Sequence, residues 1–167
     1  MTVPTVAERL AEEVTALRSA SIPREVLERA NALLLDFLGV SLAGVPEESS
    51  RALRRGLDRL GLRGDGIVLG TTDRLPPPQA ALANGAAAHA IEMDDTHLGG
   101  SIHLGASVFP AGLAMAEVTG ESGEALLRAA IGGYEVAARL AMAVGPAAHY
   151  ARAASIPPAR AARSARR

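Results

Sequence analysis

The sequence predicts an all-α fold, an Ala-rich helical bundle, and two observations lead to this prediction. Of the 167 residues, 49% are hydrophobic but only 2% are aromatic. A core of Ala, Leu, Val and Ile suits closely packed helices better than sheets, which favour aromatic and β-branched residues. Along most of the chain, apolar residues also recur every three or four positions, which is the spacing of one helix face.

Three helices are predicted in the first third of the chain. The first spans residues 5–19 and begins with a capping box, and the second spans residues 23–44 and begins at a proline. The second carries a wide apolar stripe, so we expect it to be deeply buried. The third spans residues 47–60. Its leucines are expected to face the core and its arginines to face water, namely Leu53, Leu57 and Leu60 against Arg51, Arg54, Arg55 and Arg59.

Three further helices are predicted in the remainder of the chain. Residues 67–69 are expected to form a short strand, and a helix over residues 79–91 follows three consecutive prolines. We interpret His89, within that helix, as a core histidine rather than a ligand. An apolar helix is predicted over residues 106–118, and a last helix, capped by its first serine, over residues 122–144.

A short polar segment separates two of these helices. Within residues 92–103 the chain places three carboxylates, two of them adjacent, two hydroxyls and two imidazoles between Ala-rich stretches that are almost free of charge. Buried polar groups are costly unless they are paired, so a polar cluster in apolar surroundings indicates a functional site. A solvated connector between two helices fits the composition equally well, and this alternative stays open.

Charge and composition argue against several classes of function. A net charge of -1 gives no reason to expect nucleic acid or an anionic membrane as a partner, and the absence of cysteine excludes thiolate metal sites. No lysine is present, so this chain cannot form a Schiff base. The spacing of Asp94, His97 and His103 matches no standard zinc motif, and we predict no metal site. With no signal pattern and no apolar run of membrane length, we expect a cytoplasmic protein.

Residues 80–97, which read AALANGAAAHAIEMDDTH, resemble the signature of the MmgE/PrpD family. The similarity continues upstream over residues 34–40 and downstream at His103, and it covers roughly residues 5–152. One departure is Leu104, which stands where the family typically has proline.

The resemblance implies a fold and a class of reaction. Members of the family have a large helical domain and an α/β lid domain, are usually homodimers, and hold the active site between the two domains. They include 2-methylcitrate dehydratase, cis-aconitate decarboxylase and iminodisuccinate epimerase. The implied function is therefore that of a lyase, or an isomerase, that acts on a small polycarboxylate by acid–base proton transfer without a cofactor.

The resemblance also suggests roles for the polar segment. His103 is the first candidate for proton transfer, because imidazole exchanges protons near neutral pH. Asp94 is predicted to face the substrate as a second catalytic residue. Asp95, Thr96 and His97 are predicted to shape the same pocket and bind the substrate. Because adjacent side chains of a loop point to different sides, one of the two carboxylates is expected to anchor the loop.

The end of the chain departs from the family. Residues 153–167 contain Ala, Arg, Pro and Ser with one Ile, which is typical of a disordered basic tail. A family member would continue with Gly-Phe-His-Pro-Thr, and loss of one base after the codon for Arg152 would convert this motif into the Ala-Ser-Ile-Pro-Pro of the tail. We therefore predict a partial domain over residues 1–152 and a tail that is out of frame. The second active-site histidine, the lysines and the lid domain of the family would then be absent. Such a fragment is expected to be inactive and to expose apolar surface.

Two other interpretations remain open. The chain could be a non-catalytic helical interaction module whose basic tail binds an acidic partner or nucleic acid. It could also be an ordinary helical domain in which the polar segment is only a connector.

Overall fold

The computed structural model describes residues 3–147, and this part of the chain contains six α-helices and one small sheet, which confirms the all-α prediction. The helices are α1 Val6–Ala16, α2 Arg24–Gly44, α3 Glu48–Arg59, α4 Pro77–His89, α5 Gly105–Thr119 and α6 Gly123–Val144. Strands β1 Gly66–Ile67 and β2 Arg74–Leu75 pair antiparallel. Within residues 3–147, no helix combines the length and the apolarity that crossing a bilayer requires. The predicted basic tail lies outside the described residues.

Local capping interactions determine several helix ends, as predicted. At the start of α1, the Thr5 hydroxyl oxygen accepts a hydrogen bond from the Glu8 backbone N–H, and the Glu8 carboxylate accepts one from the Thr5 backbone N–H. The Ser122 hydroxyl oxygen accepts from the Ala125 N–H at the start of α6. Gly120 ends α5 with a φ of 68°, a left-handed conformation that favours glycine.

The predicted faces of α3 are only partly right. Leu57 is buried, but Leu60 is 66% exposed, because it lies just beyond the last residue of the helix and so outside the apolar stripe. Arg54, expected in water, is only 25% exposed at its side chain and donates a hydrogen bond to the carbonyl oxygen of Val45.

The main core lies where α2, α4, α5 and α6 meet. Its buried members are Phe37, Ala88, Phe109 and Ala130, with Tyr134 packed at the edge. Both phenylalanines of the chain belong to this cluster, and their ring centroids are 5.6 Å apart. A core with so few large side chains relies on close approach of helix backbones, which alanine and glycine permit.

Two glycines hold α4 tightly between its neighbours. A Cβ at Gly44 of α2 would overlap the carbonyl oxygen of Ala87, and a Cβ at Gly85 of α4 would lie 2.5 Å from the carbonyl oxygen of Ala106 in α5. The α4–α5 crossing therefore needs glycine at position 85. One turn later α4 ends at His89, so this crossing places His89 beside the chain that enters α5.

The buried Asn84 of α4 holds the segment around β1 in place. Its Nδ2 donates to the carbonyl oxygen of Ile67 at 2.8 Å, and its Oδ1 accepts from the Leu69 N–H at 2.9 Å. The Asn-Gly pair of the sequence motif is therefore explained by packing, with the amide bonded to backbone and the glycine at a helix crossing.

Arg128 of α6 connects that helix to the end of α1, and its removal is expected to be costly. Its Nη1 donates to the carbonyl oxygens of Leu17 at 3.2 Å and Ala20 at 2.8 Å, and the side chain is only 22% exposed. Arg128→Ala is expected to lower the free energy of unfolding by about 1.5–3 kcal/mol, because these hydrogen bonds involve a charged group.

The matched control is Arg139→Ala on the same helix. Arg139 is 66% exposed and pairs with Glu135 four residues earlier, so its loss should cost less than about 0.5 kcal/mol. Urea denaturation of the 167-residue chain measures both values. Equal losses for the two variants would contradict the structural role of Arg128.

Candidate active site

A cavity of about 750 Å³ lies between α4, α5 and the loop that joins them. Residues of the two helices, many of them alanine, form most of its wall, and the imidazoles of His89 and His103 also line it, together with Ser101 and Ser107. Its volume is within the range of small-molecule sites, which are mostly apolar with a few polar groups.

A buried carboxylate connects the two imidazoles of this wall. The Asp94 side chain is only 2% exposed, and the His89 Nδ1 lies 3.1 Å from each of its oxygens. The His103 Nδ1 lies 3.3 Å from Asp94 Oδ1, and the two rings meet edge to face with centroids 4.8 Å apart. A buried carboxylate is stable only with such partners. We call these three residues the His–Asp–His cluster.

Asp95, the other member of the acidic pair, anchors the loop. Its Oδ1 accepts from the Gly105 N–H at 2.7 Å and its Oδ2 accepts from the Tyr134 hydroxyl at 3.0 Å. Gly105 is the first residue of α5, so the carboxylate caps that helix and lies at the positive end of its dipole. A Cβ at Gly105 would lie 2.5 Å from Asp95 Oδ1, so only glycine permits this close contact.

The two carboxylates therefore differ in their surroundings, as expected for neighbours on a loop. Asp95 contacts the α5 backbone and α6, whereas Asp94 contacts the imidazoles. The Asp94 carboxylate is not part of the cavity wall but is almost fully buried against the two rings that are. The direct contact of Asp94 with substrate stays a prediction, as do the catalytic and binding roles of the other loop residues.

Thr96 and His97 lie in different places. The Thr96 hydroxyl is 3.5 Å from His103 Nδ1 and is exposed, so the structure brings it to the edge of the cluster. The His97 ring instead stabilises the turn that follows it. Its Nδ1 accepts from the Gly100 N–H at 3.0 Å, and its backbone N–H donates to the carbonyl oxygen of Ile102 at 2.8 Å. The structure therefore does not place His97 in the His–Asp–His cluster.

The loop contains two strained residues. Glu92 has a φ of 50° and Ser101 a φ of 51°, so both are in the left-handed region although neither is glycine. Such residues cost about 1–3 kcal/mol each and persist where the surrounding contacts hold them, often at functional sites. The strain lies on either side of the acidic pair, which favours a shaped site over a solvated connector.

His89 is the site residue that sequence reasoning missed. The sequence predicts a core histidine at this position, yet the side chain is 47% exposed on the cavity side. The error has a specific cause. The helix was expected to continue to residue 91, but α4 ends at His89, and the chain then turns and brings Asp94 back to the ring. A polar residue placed so close to the end of an alanine helix and to an acidic pair was the available signal.

The His–Asp–His cluster is also the group, among the described residues, that could hold a metal ion. Its ligand atoms lie within 4.8 Å of one another. Neighbouring ligands of a tetrahedral zinc ion are roughly 3.3 Å apart, so the widest separation within the cluster would have to shorten for it to bind one. His89 Nδ1 lies at hydrogen-bond distance from Asp94, 3.1 Å, and His103 Nδ1 lies 3.3 Å from Asp94 Oδ1 as an ion-pair contact. The cluster differs by one residue from the trio Asp94, His97 and His103, whose spacing fits no standard zinc motif, because His89 stands in the structure where that trio has His97.

Burial and the neighbouring Asp95 carboxylate raise the pKa of Tyr134 above its usual value. The hydroxyl therefore stays protonated and can donate to Asp95 in the folded state. Above about pH 10 the unfolded tyrosine loses its proton while the folded one keeps it, so the free energy of unfolding falls as pH rises. Below that pH both states hold the proton, and this group contributes no pH dependence.

We expect Tyr134→Phe to remove the fall in the free energy of unfolding that Tyr134 causes above about pH 10. The variant also leaves Asp95 with one partner fewer, which should lower the free energy of unfolding by about 1–3 kcal/mol at neutral pH. Urea denaturation of both proteins between about pH 8 and about pH 11 tests this. A difference between them that is the same at every pH would contradict the raised pKa of Tyr134.

Comparison of the sequence with known proteins identifies its relatives. The family model described as the MmgE/PrpD N-terminal domain matches residues 8–166. The chain is 33% identical over 146 residues to the cis-aconitate decarboxylase-like protein oryM of Aspergillus oryzae. This alignment covers 83% of this chain and 30% of that protein. The chain is 32% identical over 133 residues to the cis-aconitate decarboxylase of Aspergillus terreus, 77% of this chain and 27% of that enzyme. To the human cis-aconitate decarboxylase it is 30% identical over 145 residues, 84% of this chain and 30% of the enzyme. The chain therefore matches less than a third of the length of each of these relatives.

Proposed function

The chain belongs to the MmgE/PrpD family, and on this premise we propose that the intact protein is a lyase that acts on a small polycarboxylate by acid–base proton transfer. Three of the similar proteins are named for cis-aconitate decarboxylation, so cis-aconitate is our first candidate substrate and 2-methylcitrate the second. The observation that supports the proposal most is the pair of imidazoles that share one buried carboxylate in the wall of a cavity.

The chemistry of decarboxylation matches this arrangement. When carbon dioxide leaves, the carbon–carbon bond breaks and its electron pair stays on the substrate, so an acid must then donate one proton to that carbon. We assign this proton to the imidazolium of His103, which lines the cavity. Asp94 stabilises the positive charge of the ring and keeps its orientation. In the dehydration of 2-methylcitrate, a base removes a proton next to a carboxylate and an acid protonates the leaving hydroxyl. The same ring could serve either step.

The remaining loop residues are proposed to position the substrate. Thr96 presents an exposed hydroxyl next to His103 and could donate a hydrogen bond to a substrate carboxylate. Asp95 and His97 maintain the loop on which Thr96 and Asp94 lie. Proton transfer of this kind uses side chains alone, so we propose no cofactor. We further propose a homodimer in the cytoplasm.

We propose that the substrate's negative charges are bound by residues of the frame-restored protein other than those of the described cavity wall. A polycarboxylate needs cationic partners, but no arginine lies among the residues of the described part that line the cavity. Leu82 in the cavity wall is 53% exposed, and Met93 and Leu98 on the adjoining loop are 71% and 85% exposed, so apolar side chains in this region are available to contact further protein. We therefore propose that the 167-residue chain alone is inactive, and that a lost base near the codon for Arg152 accounts for its tail.

The test uses the frame-restored protein, meaning the product of the gene after one base is restored near the codon for Arg152. We expect it to release carbon dioxide from cis-aconitate or water from 2-methylcitrate, and the 167-residue chain to do neither. Resequencing the gene decides the tail independently, because the proposal requires a long family-like reading frame after a single-base change. Failure of the frame-restored protein to convert either compound would overturn the proposed function.

A further inference from the structure

We propose that His89 is a positioning residue of the active site, which holds the Asp94 carboxylate through Nδ1 and thereby fixes the orientation of His103. This inference rests on the proposed function, because it concerns the same reaction. It assigns a role to the imidazole that neither the spacing of the polar segment nor its residue types had indicated.

The contacts within the cluster support the proposal that His89 holds Asp94 and that Asp94 in turn orients His103. His89 Nδ1 lies 3.1 Å from both oxygens of Asp94, whereas His103 Nδ1 lies 3.3 Å from Oδ1. His89 is thus the closer partner of a carboxylate whose side chain is only 2% exposed. Removal of His89 would leave this buried charge with less compensation, and the carboxylate would move toward water and away from His103.

His89 is also the better anchored of the two imidazoles. It is the last residue of α4, whose position is determined by the close crossing with α5 at Gly85. His103 and Asp94 both lie on the loop, outside any helix. Groups on rigid elements maintain the geometry of a site more accurately than groups on loops, so the helix residue serves as the reference for the loop residues.

Both rings direct Nδ1 toward the same carboxylate, which determines what each can do. A ring that donates Nδ1–H to a carboxylate carries its exchangeable proton at Nε2, on the opposite side of the ring. For His103 this leaves Nε2 to transfer the proton. For His89 the proposal assigns the function to Nδ1, and this distinguishes positioning from direct proton transfer.

Two substitutions separate these roles in the frame-restored protein. The amide nitrogen of asparagine lies near the position of Nδ1 and can still donate to Asp94, whereas the amide of glutamine lies near Nε2. We expect His89→Ala to lower kcat on cis-aconitate by about 10–100-fold with KM nearly unchanged, in the range found for residues that orient a functional group. We expect His89→Asn to recover most of that loss and His89→Gln to recover little.

The outcomes divide clearly. The inference is overturned if His89→Ala keeps the kcat of the frame-restored protein. It is also overturned if His89→Asn is as slow as His89→Ala while its melting temperature is unchanged, because Nε2 would then be the important atom. In both cases the frame-restored protein with His89 intact is active, and the proposed function stands. If the frame-restored protein with His89 intact converts neither substrate, the proposed function is overturned, and the inference that rests on it is overturned with it.

A second measurement does not depend on activity. Nitrogen-15 NMR of the 167-residue chain reports which ring nitrogen carries the proton. We expect both His89 and His103 to be protonated at Nδ1 when neutral, and the His103 ring to lose this preference in His89→Ala. A neutral His89 protonated at Nε2 would overturn the inference regardless of any kinetic result.

Discussion

Replacing His103 with alanine in the frame-restored protein is expected to lower kcat on cis-aconitate by about 10²–10⁴-fold, the usual contribution of a positioned acid or base. The imidazole lines the cavity and contacts Asp94, so its loss removes the proton donor and also leaves that buried carboxylate with one partner fewer. Initial rates of carbon dioxide release measure kcat. The melting temperature shows whether the variant is still folded.

His103→Gln is the informative control for this prediction. Glutamine keeps a hydrogen-bonding amide near the position of Nε2 but cannot exchange a proton in the range where imidazole does. A role in proton transfer predicts that glutamine is about as slow as alanine, again by about 10²–10⁴-fold. A glutamine variant with nearly full activity would show that position 103 supplies only a hydrogen bond, and the acid would have to be sought elsewhere.

Gly44→Ala is expected to cause a large loss of stability for a single added methyl group. The new Cβ would overlap the backbone carbonyl oxygen of Ala87, and a backbone atom cannot move aside as the end of a flexible side chain can. The helices α2 and α4 would have to separate, which typically costs about 1–3 kcal/mol and can cost more. Because α4 ends at His89, a shift of this helix should also disturb the His–Asp–His cluster.

The same helix offers a matched control in Gly39→Ala. Nothing lies within 4 Å of a Cβ at Gly39, so the substitution should stabilise the protein by about 0.4–1 kcal/mol through the lower entropy of the unfolded chain. We therefore expect the two substitutions to change the free energy of unfolding in opposite directions, although both add one methyl group to the same helix. Urea denaturation of the 167-residue chain measures both changes. Destabilisation by both, or by neither, would contradict the packing of α2 against α4.

Much of the helical fold could be predicted because its determinants are local. The capping box at Thr5, the serine cap at Ser122 and the glycine stop at Gly120 each involve residues only a few positions apart, and the structure contains all three. The errors arose where tertiary packing decided the outcome. Leu60 matched the spacing of the stripe but lies past the helix end, and Arg54 is held by a neighbouring segment.

The candidate site was found only in part for the same reason. The polar segment is unusual in composition, so it stood out against the alanine-rich helices, and the family signature drew attention to His103. Neither the composition of the segment nor the family signature indicated which partner each side chain contacts. Asp95 bonds to Tyr134, 39 positions later, and His97 bonds within its own turn rather than to the carboxylates.

The sequence by itself determined the helical class of this protein, most of its helix ends and the location of its polar loop, because periodicity and capping depend on neighbours along the chain. The tertiary structure alone decided which carboxylate anchors the loop, which contacts the imidazoles, and that His89 rather than His97 joins Asp94 and His103. The physical reason is that a buried charge selects its partners by position in space, and here that position depends on how closely α4 and α5 cross at Gly85.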